Sequence, residues 1–164
     1  MKDWKEMKRI KYIVFTWMAV LILPACSSDD SNMVAPIGIG DIILSSIVGT
    51  WIATSAEFTT TNANPVQSVD VVADGGFSDL SVKADGRFTL VVRNSSPDPQ
   101  ITTGQFLADG NDINVRFDND PNTLVPWDFT LSENTLFIAG PMLYDFENDG
   151  VSEEVSANFE FIPS

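Results

Sequence analysis

From Trp51 to the end of the chain, apolar and polar residues exchange at every second position. Phe88, Leu90 and Val92 fall on one face, with Arg87, Thr89, Val91 and Arg93 on the other. Ile113, Val115 and Phe117 oppose Asp112, Asn114, Arg116 and Asp118. Trp127, Phe129 and Leu131 oppose Asp128, Thr130 and Ser132, and Val155, Ala157, Phe159 and Phe161 oppose Ser156, Asn158 and Glu160. A period of two with one apolar face predicts antiparallel strands buried on one side and wet on the other. Weaker strands are predicted over 51–58, 66–73, 77–84, 101–107 and 135–139. Before them, Ile42, Ile43, Leu44, Ile47 and Val48 recur at helical spacing behind Asp41, a candidate N-cap, so one short helix is predicted over 41–48.

Asp-Gly occurs at 74–75, 85–86, 109–110 and 149–150, each time between predicted strands, and Asn134 marks a further turn. Glycine there supplies the positive φ that a tight hairpin demands. Short hairpins in series make a meander, and a meander of about nine strands leaves two open edges unless it closes on itself. The expected fold is therefore all-β: an antiparallel up-and-down barrel of about 8–9 strands with one short N-terminal helix. A β-sandwich is the alternative, but its crossings need longer connections than most of these loops provide.

The N-terminus follows another pattern. Lys2, Lys5, Lys8, Arg9 and Lys11 precede an almost unbroken apolar run of 12 residues, Tyr12–Leu23. As a helix this run reaches about 18 Å, well short of the roughly 30 Å of a bilayer core, which makes it a signal-peptide core rather than a span. Leu23-Pro24-Ala25-Cys26 then resembles the lipobox of Gram-negative bacterial lipoproteins, although proline is uncommon at its second place. The resemblance implies cleavage before Cys26 and acylation of its sulfur, palmitate being one such chain. Several acyl chains at about 0.8 kcal/mol per buried methylene anchor a protein stably. The segments expected are a signal peptide over 1–25, a lipid-anchored tether over 26–40 and the barrel over 41–164. Ser27-Ser28-Asp29-Asp30 lacks the aspartate next to the cysteine that retains some lipoproteins at the inner membrane, which implies the outer membrane. Its acidic pair resembles a surface-export tag, and reads equally well as a solvated tether.

Removing residues 1–25 leaves 139 of the 164 residues, with four Lys/Arg against 21 Asp/Glu, a formal charge of −17. That sign excludes nucleic acid and anionic membrane surfaces as partners. The chain has no histidine and a single cysteine. Ser-His-Asp triads, Cys-His pairs, His-ligated zinc and disulfides are excluded with them. Acid–base work would fall to carboxylates, Tyr144 and Lys83, and among 21 acids a carboxylate pair arises by chance. No enzyme activity is expected.

Gly49-Thr50-Trp51, following the short helix at the opening of the first strand, resembles the Gly-x-Trp motif of lipocalins and of lipocalin-like lipoprotein domains. The resemblance implies that Trp51 packs across a closed barrel end which the helix plugs. The late arginine that lipocalins stack on this tryptophan is missing from Asn158-Phe159-Glu160-Phe161, as is the Thr-Asp-Tyr signature. A barrel of this size is either filled by side chains or holds one small ligand. If hollow, its wall would include Phe106, Phe117 and Trp127, and the expected function is non-enzymatic binding of a small apolar or amphipathic ligand. If solid, the domain is a surface interaction or scaffold module.

Asp145-Phe146-Glu147-Asn148-Asp149-Gly150-Val151-Ser152-Glu153-Glu154 is the most specific local motif. Oxygen ligands at places one, three and five and glycine at six match the first half of an EF-hand loop. Calcium would take Asp145, Glu147, Asp149, the Val151 carbonyl and Glu153. Glutamate at place three and Ser156 at place twelve depart from the pattern, and an acidic solvated hairpin is the alternative.

Overall fold

A computed structural model of the chain describes residues 39–63, 65–94 and 98–164, and the segment expected as signal peptide and most of the expected tether, Cys26 included, lie outside them. Helix α1 (Ile39–Ser46) is followed by nine strands: β1 (Gly49–Thr60), β2 (Ser68–Asp70), β3 (Phe77–Val82), β4 (Arg87–Arg93), β5 (Gln100–Asp109), β6 (Asp112–Phe117), β7 (Val125–Ser132), β8 (Thr135–Tyr144) and β9 (Glu153–Pro163). The helix begins two residues earlier than its spacing predicts, so Asp41 sits within its first turn instead of capping it.

The strands form one antiparallel sheet, and β1 pairs with β9 from Trp51↔Pro163 to Thr60↔Val155. That closure makes an eight-stranded barrel of β1 and β3–β9, which rules out the sandwich; β2 is the extra strand. One edge of β1 is shared. Gly49–Ile52 pairs with β3 and Glu57–Thr59 with β2, so β2 and β3 behave as one strand interrupted over 71–76. Asp70 holds the interruption, its carboxylate accepting from the Ala56, Val72 and Ala73 N–H groups and the Ser55 hydroxyl. Burial alone would raise its pKa, but these donors, the Ala56 N–H foremost, hold it below the usual carboxylate value.

Inward residues follow the pleat, except that β1 carries a bulge between Ala53 and Ser55. The extra residue moves the inward set from Trp51 and Ala53 to Ala56, Phe58 and Thr60. At Asp85-Gly86 and Asp109-Gly110 the expected hairpins are present, with glycine φ of 79° and 63°.

The interior is solid. Phe88 stacks on Phe106 at 4.3 Å, Phe106 meets Phe129 edge-on, and Phe88 reaches Phe117. From Phe117 the contact runs through Trp127 to Phe159, then to Phe58, which stacks on Tyr144 at 4.0 Å. Such pairs add about 0.5–1.5 kcal/mol each beyond the area they bury. The void among Leu80, Phe88, Phe106, Trp127, Ile138 and Phe159 is only about 10 Å³, room for no more than one water.

One barrel end is closed. Helix α1 packs against β5, β6 and β7, with Ile43 and Leu44 on the core and Ile47 wholly buried. Gly49 opens β1 at φ 141°, turning the chain from the helix into the strand. Two residues on, the buried Trp51 donates its indole N–H to the Ile47 carbonyl at 2.8 Å. Strand and helix end are thereby tied at the closed end.

Candidate functional site

The opposite end is open, and its geometry starts from two prolines. The β7–β8 ladder runs from Ser132↔Thr135 only as far as Asp128↔Ala139. Carried two residues further, that register would set Pro126 opposite Pro141, neither of which has an N–H to give. There β7 stays with β6, through Val115↔Val125, and β8 with β9, through Met142↔Val155. A seam opens between them. Trp127 fills its inner part, with its ring against Gly140 and its indole N–H donated to the Pro141 carbonyl at 3.1 Å.

Beyond Trp127 the seam widens into a hollow of about 510 Å³. Phe117, Val125, Pro141, Met142, Leu143 and Val155 give it an apolar wall, and Thr61, Thr102, Asn119, Asp120 and Glu154 are its polar groups. This size and mix fit a small ligand, for which pockets of about 300–1,000 Å³ are usual. The β6–β7 loop on one side is braced by Asp118, which accepts from the Thr103 hydroxyl at 2.6 Å and pairs bidentately with Arg87 at 3.0 and 2.9 Å. The Thr103 hydroxyl first, then Arg87, holds the Asp118 carboxyl below its ordinary value against partial desolvation. On the other side the Thr61 N–H and hydroxyl bond to the Glu154 carbonyl, and Asn62 donates to the Glu154 carboxylate at 2.9 Å.

The three residues expected along a pocket wall part company here. Phe106 and Trp127 both belong to the core, and Phe117 alone reaches both core and hollow. Pro141, Met142 and Leu143 were missed. A sequence signal for them existed in Pro126 and Pro141, placed symmetrically about the β7–β8 turn.

The acidic loop after β8 folds on its own carboxylates. Asp145 accepts from the Asp149 and Gly150 N–H groups, Asp149 from Val151, and Glu153 from Phe146. Gln100 clamps its base, donating to the Asp145 carbonyl and accepting from the Asp145 N–H. Among the described residues, no three Asp, Glu, Cys or His side chains are gathered as a metal ion requires. Asp145, Glu147, Asp149 and Glu153 therefore do not form a calcium cage in this geometry, and Val151 is exposed. Millimolar calcium is expected to leave the melting midpoint within about 1 °C of its metal-free value, since a ligand that does not bind the folded state stabilises nothing. A rise of several degrees would show that the carboxylates exchange their backbone partners for the ion.

Tyr144, beside this loop, is buried against Phe58 and receives the Asn94 amide at 3.3 Å. Burial pushes its phenol above 10.0; the Asn94 amide opposes this and the Asp145 carboxylate adds to it. Below pH 10 the phenol is protonated in folded and unfolded chains alike, and this group gives stability no pH dependence. Above it the unfolded chain ionises first, so stability falls as pH rises further. Tyr144 is the single tyrosine after residue 25, so its absorbance reports this directly. Phenolate is expected to appear only above pH 10 and together with unfolding; titration at the ordinary value in a folded barrel would place the ring in water.

No family model matches the chain, and neither does any curated protein or solved structure compared with it.

Proposed function

We propose that this protein is a lipid-anchored lipoprotein of the outer membrane whose lipocalin-like barrel binds a small apolar or amphipathic ligand at its open mouth, without catalysis. The observation that carries the reading is the hollow of about 510 Å³ with its apolar wall. The lipobox-like Leu23-Pro24-Ala25-Cys26 is the ground for the anchor, and Gly49-Thr50-Trp51 with a helix across the far end is the ground for the lipocalin likeness. Because the interior is filled, the ligand sits across the mouth and is short; a long chain threaded down the barrel has no room.

The filled interior also favours a second reading, a surface interaction or scaffold module with a solid core. One experiment separates the two. The chain from residue 26 onward, carrying Cys26→Ser so that no lipid is added, is purified gently and examined by native mass spectrometry. A co-purified mass of lipid or metabolite size, lost in Val125→Trp, which fills the mouth, is the expected result. A bare domain that also ignores a neutral solvatochromic dye would move the reading to the interaction module. For the anchor, incorporation of an alkyne fatty acid in cells is expected to vanish with Cys26→Ser, and labelling that survives the substitution would remove it.

A further inference from the structure

The rim of the hollow has one sign. Glu154, the second residue of β9, and Asp120, on the β6–β7 loop, contribute carboxylates to it, and no lysine or arginine lines it. The Glu154 carboxylate is held by the neutral amide of Asn62, which orients it without cancelling its charge. Asp120 is exposed on a loop whose backbone bonds, to Phe117 and from Thr123, fix it beside the wall.

All four cationic side chains after residue 25 are accounted for elsewhere. Lys83 lies at the β3–β4 turn of the closed end, and Arg87 is paired with Asp118 on the outer face. Arg116 donates to Gln105, and Arg93 lies over the Phe77 ring at 5.8 Å. The undescribed residues after 25 contain neither lysine nor arginine that could reach across. An apolar wall beneath a fixed negative rim complements one class of molecule: a short apolar body carrying a cationic head.

We infer that the mouth selects alkylammonium-type amphiphiles, with Glu154 and Asp120 as the counter-charge to the head and the Phe117–Val125–Met142 wall taking the chain. This rests on the reading of the hollow as the ligand site. A carboxylate or phosphate head on the same chain meets two like charges and no donor of opposite sign, and is turned away.

The test compares decylammonium, decanol and decanoate, matched in chain, by calorimetric titration below their aggregation concentrations. The protein is the Cys26→Ser chain from residue 26, which keeps intact the compact unit, residues 36–164. A net charge of −17 attracts any cation from a distance, so local selection needs a control of equal charge. Glu154→Gln with Asp120→Asn is set against Asp109→Asn with Asp112→Asn, two exposed positions at the β5–β6 turn. Decylammonium is expected to bind most tightly and decanoate most weakly. The mouth pair of substitutions should weaken decylammonium about tenfold, as the loss of two partly exposed charge pairs would, and leave decanol unchanged. The turn pair should do neither.

Decanoate binding as tightly as decylammonium would overturn the inference while leaving the site standing. The same would follow if both pairs of substitutions weakened decylammonium equally, because the attraction would then be diffuse. Failure of all three amphiphiles to bind would overturn both the inference and the ligand site beneath it.

Discussion

Trp51→Ala is expected to lower the unfolding free energy by about 3–5 kcal/mol, the range for truncating a large buried aromatic, and the melting midpoint by about 10–20 °C. Two losses combine. The indole is 6% exposed in the same core as Ile47, Leu136 and Phe161, so its removal leaves a cavity that rigid strands cannot close. Its N–H also satisfies the Ile47 carbonyl, just past the helix end, where carbonyls lack a partner along the helix. Trp51→Phe separates the terms: most of the volume returns but the hydrogen bond does not, and about 1–2 kcal/mol of the loss should remain. Urea unfolding followed by circular dichroism measures both variants. Because the hollow lies at the other end, affinity for the amphiphiles proposed to bind there should match the unsubstituted protein in either variant wherever the barrel is still folded. A loss below about 1 kcal/mol for the alanine variant would mean that helix α1 closes the barrel without Trp51.

Much of this fold is legible along the chain because its core is made by period two. β4, β6 and β9 come out close to their expected limits since each alternates without a break. The departures have physical causes. In β1 the bulge after Ala53 shifts the inward parity, so Trp51 and Phe58, both buried, sit at incompatible spacings and the alternation looks weak. Over 66–73 a single strand was expected; the chain instead makes three residues of β2 and then leaves the sheet. The cause is the Asp70 carboxylate, which captures the amides of Val72 and Ala73. β8 runs to Tyr144 instead of stopping at Ala139, because Gly140-Pro141 reads as a break in isolation yet pairs with Ala157 and Ser156 on its β9 side.

The site was less legible for the same reason that it exists. Phe106, Phe117 and Trp127 were grouped as a wall from their inward positions, but whether aromatics line a cavity or fill it depends on how their rings meet across the barrel. Stacking of Phe88 on Phe106 and of Phe58 on Tyr144 consumes the interior. What is left is set by backbone chemistry at the seam, where Pro126 and Pro141 withhold their donors and the ladder stops. The acidic loop is the opposite case: its spacing matches the first half of a calcium loop, while in the folded chain the carboxylates of Asp145, Asp149 and Glu153 hold backbone N–H groups.

Gly140→Val is expected to cost about 3 kcal/mol, toward the upper end for overpacking, even though valine suits strands better than glycine. A Cβ at residue 140 would run into Cγ, Cδ1 and Cδ2 of Trp127, whose ring is held between aromatic neighbours. Phe117 lies 6.0 Å away on one side and Phe159 6.5 Å on another, centroid to centroid. Any shift of the indole also breaks its bond to the Pro141 carbonyl across the seam. The explanation makes a coupled prediction: in a Trp127→Leu background the smaller side chain leaves room, and Gly140→Val should then cost less than about 1 kcal/mol, a coupling of about 2 kcal/mol between neighbours. Equal costs in both backgrounds would place the strain in the β8 backbone and not in the ring contact. The same variant probes the mouth, since Trp127 packs on Phe117 and bonds to Pro141, two residues that line the hollow. If the proposed ligand rests on Phe117 and Pro141, Gly140→Val protein that is still folded should bind it less tightly, whereas a ligand held only by the rim would not register the change.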